Sequence, residues 1–338
     1  MIRGFGIIGA GTIAAVHADA IALLPDARLS AVTDVATATA RAFAAERGCG
    51  AEPSLDALLA RDDVEVVCVC VPSGLHAEVG VRAAKAGKHL VIEKPVDVSL
   101  QAADRLLAAA REASVALTVI SQHRFDPGVI ELKRLIDDGA LGTLVLGEAT
   151  TKWYRTQDYY DSAAWRGTWA MDGGALLNQG IHYADLLCWC MGPAAEITAV
   201  CTTQTHQVEV EDTALAIVKF ASGAVGTIAA TTAAYPGFPQ RLEITGTEGT
   251  VTVEDGEIVR SELRAGQASR SSGRAQSAAA DPAALDPASH AAQIADLLAA
   301  VGEGRGPAVS GQDGRAALEV VCAVYESSRT GRPVTLGQ

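Results

Sequence analysis

The chain has 338 residues, of which 49% are hydrophobic and 20% charged, and its formal net charge is −13. This length favours two domains, because one core rarely grows past about 250–300 residues, and the composition argues against intrinsic disorder and a disulfide scaffold. An acidic chain with no sustained basic run is a poor binder of nucleic acid or anionic membranes, and no apolar run reaches the roughly 18 residues that span a bilayer.

The N-terminal segment is apolar, but glycines at turn positions, His17 and Asp19 make it unlike a secretory signal. The seven cysteines are odd in number and include no Cys-x-x-Cys pair, so neither a disulfide framework nor a zinc site is expected. We therefore expect reduced cysteines, no metal site and a cytoplasmic protein.

The first 120 residues alternate between short apolar strands and amphipathic helices. The pattern predicts strands at 2–8, 29–34, 64–71, 89–93 and 117–121, and helices at 12–24, 37–47, 75–86 and 99–113. Nearly continuous apolar strands that alternate with helices are typical of a parallel sheet covered on both faces. Residues 1–123 are therefore predicted to form a doubly wound α/β domain of the Rossmann type.

The pattern changes after residue 123. Helices are predicted at 127–138 and 174–191, and strands at 144–152, 196–205, 213–220, 224–232, 241–245 and 250–254. Residues 265–287, rich in Ala, Ser, Gly and Pro, are predicted to be a long surface loop, and helices at about 288–303 and 311–329 close the chain. Residues 124–338 are thus predicted to form a second α/β domain, with a large, mostly antiparallel open sheet covered by helices on one face.

A glycine-rich turn separates the first predicted strand from the first predicted helix. Residues 9–14 (Gly-Ala-Gly-Thr-Ile-Ala) fit the pattern G-x-G-x-x-G/A in the structural context that dinucleotide binding requires. Gly9 allows a tight turn, and Gly11 has no Cβ to block a pyrophosphate. The helix that begins at Thr12 and Ile13 offers backbone N–H groups and a positive dipole end to phosphates.

Asp34 ends the second predicted strand, 20 residues after Ala14. A carboxylate there can accept both ribose hydroxyls of NAD and would repel the 2′-phosphate of NADP, so NAD is expected rather than NADP. The alternative is a glycine turn in an α/β protein that binds no nucleotide.

Lys94 lies just past the predicted strand 89–93, between Glu93 and Pro95. Open α/β sheets bind ligands beyond the carboxyl ends of their strands, so Lys94 is expected near the nicotinamide. There its ammonium group can hydrogen-bond a substrate hydroxyl, and partial burial can lower its pKa toward the catalytic range. The alternative is an ordinary surface Glu–Lys pair.

Together these motifs resemble the Gfo/Idh/MocA family of oxidoreductases. The resemblance covers nearly the whole chain and rests on segments 9–14, 71–76 (Val-Pro-Ser-Gly-Leu-His), 93–95, 173–182 (Gly-Gly-Ala-Leu-Leu-Asn-Gln-Gly-Ile-His) and 325–334. It implies a Rossmann domain, a C-terminal α/β domain, NAD(P)-dependent chemistry on sugars and polyols, and dimers or tetramers formed through the open sheet. The candidate cofactor-binding residues are Gly9, Gly11, Thr12, Ile13, Asp34, Pro72, His76, Glu93 and Lys94, although His76 also suits a structural role.

The predicted helix 174–191 places Asn178, His182 and Asp185 on one stripe. The resemblance implies an acid/base role for His182, and family members commonly have an aspartate where this chain has Asn178. An amide orients an imidazole but does not stabilise an imidazolium, so Lys94 is expected to carry more of the proton transfer unless Asp185 or a substrate carboxylate compensates. The candidate catalytic residues are Lys94, His182 and Asn178, and a structural histidine is the alternative for His182.

Six of the chain's 15 aromatic residues lie between Trp153 and Trp169, just before that helix. Aromatic faces pack against the C–H faces of sugars, and polar side chains bind the hydroxyls. The candidate substrate-binding residues are Arg124, Trp153, Tyr154, Arg155, Trp165, Arg166, Asn178 and His182. Two arginines in this segment also suit an anionic substrate such as a uronate, while core packing and solvated surface arginines are the alternatives.

We therefore expect reversible hydride transfer between C4 of the nicotinamide and a secondary alcohol carbon of a sugar or cyclitol, with Lys94 and His182 exchanging the hydroxyl proton. The alternatives are an NAD-dependent glycosidase or lyase with transient oxidation, a nucleotide-sugar 3-dehydrogenase, and a non-catalytic NAD-binding sensor. The expected partners are a small sugar or polyol and further copies of the chain, without nucleic acid or membrane.

Overall fold

The structure is a computed structural model that describes residues 3–264, 266 and 286–337. Most of the loop predicted at 265–287 therefore lies outside the described residues. The chain divides into two compact units. The first contains Met1–Gln122 and Asp286–Arg315, and the second contains His123–Leu285 and Ala316–Gln338.

The first unit contains a six-stranded sheet in which every pair of neighbours is parallel. Its strands are β1 (Arg3–Ile8), β2 (Ala27–Thr33), β3 (Gly50–Ala51), β4 (Val66–Val69), β5 (His89–Ile92) and β6 (Leu117–Val119). The order β3-β2-β1-β4-β5-β6 reverses direction between β1 and β4. This is the predicted doubly wound arrangement, in which ligands bind beyond the carboxyl ends of the strands at the reversal point.

The register of this sheet brings four strand ends to one edge. Ile8 pairs with Thr33 and with Val69, and Val69 pairs with Ile92. The residues that directly follow these four strands are Gly9, Asp34, Cys70 and Glu93. Three of the candidate cofactor-binding positions therefore share the edge at which a ligand is expected.

The helices of the first unit are α1 (Thr12–Ala22), α2 (Thr37–Arg47), α3 (Leu55–Leu59), α4 (His76–Lys85), α5 (Leu100–Glu112) and α9 (Ala288–Glu303). The position of α9 corrects the predicted boundary, which gave all of 124–338 to the second domain. Its Gln293 accepts a hydrogen bond from Ser121 N and donates one to Val119 O, and Ile294 and Leu297 are buried in the same core as β1. The apolar face of α9 thus completes the first unit.

The second unit contains an eight-stranded sheet in the order β13-β12-β11-β7-β10-β9-β8-β14. Its strands are β7 (Leu144–Lys152), β8 (Ala194–Thr202), β9 (Thr213–Phe220), β10 (Val225–Thr231), β11 (Arg241–Gly246), β12 (Gly249–Glu254), β13 (Glu257–Leu263) and β14 (Val334–Thr335). Only β7 and β10 pair in parallel, so the sheet is mostly antiparallel, as predicted. Along β9, buried residues alternate with exposed ones, which is typical of a sheet covered on one face.

The helices of the second unit are α6 (Pro127–Asp137), α7 (Gln157–Asp161), α8 (Ile181–Met191) and α10 (Gly311–Thr330), which begins in the first unit. The helix predicted over 174–191 has the right extent, but Ala175–Gly180 form a π-helical turn that continues into α8. Every residue from Ile181 to Leu187 is buried, so α8 lacks the polar face that an amphipathic helix would present. Among the described residues, no helix is long and apolar enough to cross a membrane.

Candidate active site

The glycine-rich turn has the geometry that its sequence predicts. Gly9 has a φ of +93°, and a Cβ added to it would lie 2.5 Å from the backbone oxygen of Cys70, so only glycine fits there. At Gly11, by contrast, no described residue other than its immediate chain neighbours has an atom within 4 Å of the position that a Cβ would take. α1 begins at Thr12 without a side-chain cap, which leaves the N–H groups of its first turn available to an anion.

Asp34 holds this turn in place. Its Oδ2 accepts a hydrogen bond from Ala10 N and its Oδ1 accepts one from Ala36 N, both at 2.8 Å. A carboxylate offers about four acceptor positions, so Asp34 retains acceptor capacity for ribose hydroxyls. Open backbone at Gly11, an uncapped helix N-terminus and a carboxylate at the end of β2 together fit a nicotinamide dinucleotide.

Both ring nitrogens of His76 lie within hydrogen-bond distance of backbone carbonyl oxygens. Its ring is buried, with Nδ1 2.7 Å from Pro95 O and Nε2 2.8 Å from Val71 O. Burial lowers the pKa of His76, so the neutral ring donates to one of the two carbonyls. The imidazole thereby connects the turns that follow β4 and β5. This supports the structural alternative, in which His76 shapes the backbone around Pro72 instead of contacting the cofactor.

Glu93 faces the interior of the first unit, and its expected contact with the cofactor stays a prediction. The side chain is buried, its Oε1 lies 2.7 Å from Nε2 of His17, and its Oε2 accepts a hydrogen bond from Lys94 N at 3.0 Å. His290 lies near the same carboxylate, with its Nε2 3.8 Å from Oε1 of Glu93. Lys94 itself is half-buried. Sequence reasoning missed both histidines, and a lone histidine in the apolar pattern of α1 was the only signal.

In the second unit, His182 lies in the first turn of α8. It is buried, and its ring packs edge-on against that of His123, with the centroids 5.0 Å apart. His123 Nδ1 lies 2.6 Å from Oδ2 of Asp126. Two imidazoles and a carboxylate therefore lie together here, and of these only His182 was predicted.

Asn178, in the π-helical turn, donates a hydrogen bond from Nδ2 to Oδ1 of Asp172. Asp172 is buried, and its Oδ2 accepts a hydrogen bond from Gly167 N at 2.7 Å. A carboxylate thus lies beside Asn178 although position 178 itself is an amide. It comes from the loop six residues upstream, where no helical spacing could indicate it.

Arg124 and Asp185 form a buried bidentate ion pair, with Nε–Oδ2 and Nη2–Oδ1 distances of 2.8 and 2.6 Å. The guanidinium also lies over the ring of Trp189, 5.2 Å from its centroid. Arg124 is thus held in the interior as a partner of Asp185, and Asp185 already neutralises a cation, while the expected contact of Arg124 with substrate stays a prediction. The pair fixes α8 on the segment that follows β6.

The aromatic segment contains a layered arrangement around Tyr159. The guanidinium carbons of Arg155 and Arg166 lie 5.4 and 4.3 Å from the Tyr159 ring centroid, and Arg166 Nη1 donates to Tyr159 OH at 2.7 Å. Arg155 also lies over Trp153, and Arg166 over Trp165. Burial lowers the pKa of Arg155. Four predicted substrate-binding residues thus form one cation–π cluster, while Tyr154 packs apart from it against Tyr235.

Comparison with known proteins agrees with this geometry. The oxidoreductase family with an NAD-binding Rossmann fold matches residues 3–121, and the GFO/IDH/MocA C-terminal domain matches residues 129–252. An inositol 2-dehydrogenase of Rhizobium meliloti (strain 1021) is 30% identical, and the alignment covers 98% of both chains. The chain belongs to the GFO/IDH/MocA family.

Two further relatives show the range of this oxidoreductase family. The crystal structure of the WlbA dehydrogenase from Bordetella pertussis, in complex with NADH and UDP-GlcNAcA, has a TM-score of 0.89 and 30% identity, over 100% of this chain and 98% of that one. A levoglucosan dehydrogenase of Pseudarthrobacter phenanthrenivorans is 28% identical over 73% of this chain and 72% of its own. This chain is therefore similar to proteins named for a cyclitol and an anhydrosugar, and to one solved with UDP-GlcNAcA.

Proposed function

We propose that the protein catalyses NAD-dependent hydride transfer at a secondary alcohol carbon of a sugar or cyclitol. The observation that carries the proposal is the open glycine turn beside Asp34 in a member of an oxidoreductase family whose relatives include an inositol 2-dehydrogenase. When bound, the nicotinamide supplies or accepts the hydride.

The cofactor is held by the first unit in this proposal. Gly9 and Gly11 keep the turn free of side chains, and the first residues of α1, Thr12 and Ile13, direct N–H groups toward the pyrophosphate. Asp34 accepts hydroxyls of the adenosine ribose, and its negative charge repels a 2′-phosphate, so the proposal favours NAD over NADP.

Lys94 and His182 exchange the proton of the substrate hydroxyl in this proposal. In the oxidation direction the neutral amine Nζ of Lys94 accepts the hydroxyl proton while the hydride is transferred to the cofactor, and in the reduction direction the ammonium group returns that proton to the oxygen on which negative charge develops. His182 is assisted by Asn178, whose amide is neutral, so we assign Lys94 the larger share of the proton transfer.

The cluster around Tyr159 favours a second candidate within the same reaction class, an anionic sugar. The half-buried Arg166 lies over the Tyr159 ring and its planar guanidinium fork suits a carboxylate or phosphate, while the buried Arg155 adds a second positive charge near the same ring. The WlbA dehydrogenase that this chain resembles was solved with UDP-GlcNAcA. A sugar acid or nucleotide sugar therefore belongs in the substrate panel beside neutral cyclitols.

Absorbance at 340 nm tests the proposal. Purified protein is incubated with NAD or NADP and with myo-inositol, scyllo-inositol, levoglucosan, simple aldoses and UDP-GlcNAcA. We expect net NADH formation with at least one of these alcohols, and a loss of kcat of about 10²–10⁴-fold in Lys94→Met with NAD binding retained. A hydride that returns within the turnover would give product without NADH, and full activity of Lys94→Met would remove the lysine from the mechanism.

We also propose that the protein is a homo-oligomer that associates through the exposed face of the second sheet. Val200 on β8 and Leu215 and Ile217 on β9 are 64%, 56% and 56% exposed, and a contiguous apolar patch on a sheet is a typical association surface. Light scattering after size-exclusion chromatography tests this, with Ile217→Glu expected to shift a dimer or tetramer toward monomer. A wild-type chain that is monomeric at micromolar concentration would refute it.

A further inference from the structure

A buried polar cluster in the first unit includes the residue that precedes Lys94. It consists of His17 on α1, Glu93 at the end of β5 and His290 on α9, and each of the three side chains is less than 6% exposed. The His17 and His290 rings meet edge to face with centroids 5.5 Å apart. Isolated polar groups are costly in a core, so a cluster that joins three elements at this point requires an explanation.

We propose that His17 and His290 hold the Glu93 carboxylate so that it fixes the backbone of Lys94, which makes all three positioning residues for the proton transfer. The inference rests on the proposed function, because the residue that is positioned is Lys94. The two carboxylate oxygens of Glu93 contact different partners. Oε1 faces the imidazoles, and Oε2 accepts the N–H of Lys94.

The charges of the cluster support this arrangement. Burial opposes ionisation of Glu93, but the hydrogen bond with His17 and the nearby imidazole of His290 outweigh it and hold the pKa of Glu93 well below its usual value. Burial also disfavours the imidazolium of His17, yet the pKa of His17 is raised above its usual value, which requires an anion beside the ring. Burial raises the pKa of Cys70 to about 11, so at neutral pH Cys70 is a thiol. The negative charge beside His17 at neutral pH is therefore that of Glu93.

A carboxylate that is bound at both oxygens has one orientation. The hydrogen bond from Lys94 N to ionised Glu93 is charge-assisted, and such bonds are about twice as strong as neutral ones. Displacing a catalytic group by about 1 Å can cost about 10²-fold in rate. Since His17 lies on the helix that begins at the phosphate-binding turn, one network fixes both that helix and the backbone of the lysine.

The same three side chains also have the composition of a metal site, since their ligand atoms all lie within 4.8 Å of one another. The distance between His17 Nε2 and Glu93 Oε1 is 2.7 Å, however. Two ligands of a tetrahedral zinc ion would lie about 3.3 Å apart, because each is about 2.0–2.2 Å from the metal. The spacing thus matches a hydrogen bond between the side chains.

The test measures the Lys94 amide itself and then the reaction. Glu93→Gln keeps the shape and removes the charge, His17→Leu removes the donor, and His17→Gln restores a donor. Thr118→Val is the matched control, because Thr118 is buried in the same unit and hydrogen-bonds Val309 O and Gln293 without contacting Glu93. The readouts are amide hydrogen exchange, kcat, KM for NAD, melting temperature and metal content.

We expect the amide of Lys94 to exchange about tenfold faster in Glu93→Gln and His17→Leu, while Leu90 on β5 stays protected. We expect kcat to fall about 10–100-fold with KM for NAD changed less than about threefold, and His17→Gln to recover part of the loss. Thr118→Val should lower the melting temperature without either effect. If His17→Leu does not fold, Glu93→Gln gives the same readouts.

Three results would overturn the inference. One is unchanged exchange of the Lys94 amide in Glu93→Gln. Another is faster exchange with unchanged kcat while Lys94→Met is inactive, since the backbone would then be held without consequence for the rate. The third is one equivalent of bound metal in the purified wild-type chain. If Lys94→Met is itself fully active, the proposed function fails with the inference, and the exchange result still reports separately whether Glu93 fixes the backbone.

Discussion

Glu211 provides a pH-dependent test of how the histidine helix is supported. Its buried carboxyl lies under the start of the π-helical turn, where Oε1 accepts hydrogen bonds from Leu176 N at 2.9 Å and Tyr325 OH at 3.0 Å. Its Oε2 is buried without a hydrogen-bond partner among the described residues. A Cβ on Gly174 would overlap this carboxyl, so glycine is required there.

Burial raises the pKa of Glu211 from 4.5 to about 7. Between these two pH values the folded chain retains a proton that the unfolded chain has released, so the free energy of unfolding falls as pH rises through this window. The difference corresponds to about 3 kcal/mol, nearly all of it lost by pH 8. Glu211→Gln resembles the protonated carboxyl and should lack this loss.

Urea unfolding followed by tryptophan fluorescence measures the effect. All four tryptophans, at 153, 165, 169 and 189, belong to the second unit, so their emission reports that unit alone. We expect the stability of the wild type relative to Glu211→Gln to decrease by about 2.5 kcal/mol from pH 5 to pH 8. Glu262→Gln is the control, because Glu262 is exposed on β13. Parallel pH profiles of the wild type and Glu211→Gln would refute the reasoning.

Three further predictions follow from charged contacts of the site. Asp34→Asn should weaken NAD binding about tenfold and narrow the preference over NADP, as measured by titration calorimetry with both cofactors. Arg124→Met should lower the free energy of urea unfolding by about 3–5 kcal/mol, because it leaves the buried Asp185 carboxylate without its guanidinium partner. The double variant Arg124→Met/Asp185→Leu should recover most of this loss. Asn178→Asp should place a second carboxylate on Asp172 and lower the melting temperature more at pH 8 than at pH 5, without raising kcat.

The parts of the fold that the sequence predicts best are those set by local pattern. The strands and helices around the glycine turn follow hydrophobic periodicity, and Gly9 is required by its close approach to the backbone of Cys70. The same holds for β7 and β9, whose observed bounds equal the predicted ones. Local patterns fail for the short strand β14 and the helix α3, which have too few residues to show a period.

Side-chain partners distant in sequence could not be predicted. His290 reaches Glu93 because α9 returns to the first unit after nearly 200 residues, and Arg124 pairs with Asp185 across 61 positions. A sequence shows which residues are able to ionise, but the choice of partner depends on tertiary packing. For this reason Arg124 was expected to bind substrate, whereas the interior offers it a bidentate carboxylate and an aromatic face.

The amide at position 178 shows how such a partner changes the chemistry. Because Asp172 accepts from Nδ2, the side chain of Asn178 has a defined orientation, with its oxygen as the acceptor end for other neighbours. An acceptor oxygen favours the form of an imidazole that carries a proton on the facing nitrogen, and the buried charge of Asp172 strengthens this polarity through the amide. In the proposed mechanism, in which Asn178 assists His182, the amide would therefore transmit part of the effect of an aspartate without its charge. A histidine assisted in this way binds its proton less tightly than one beside a carboxylate, which is the physical reason for assigning the larger share of proton transfer to Lys94.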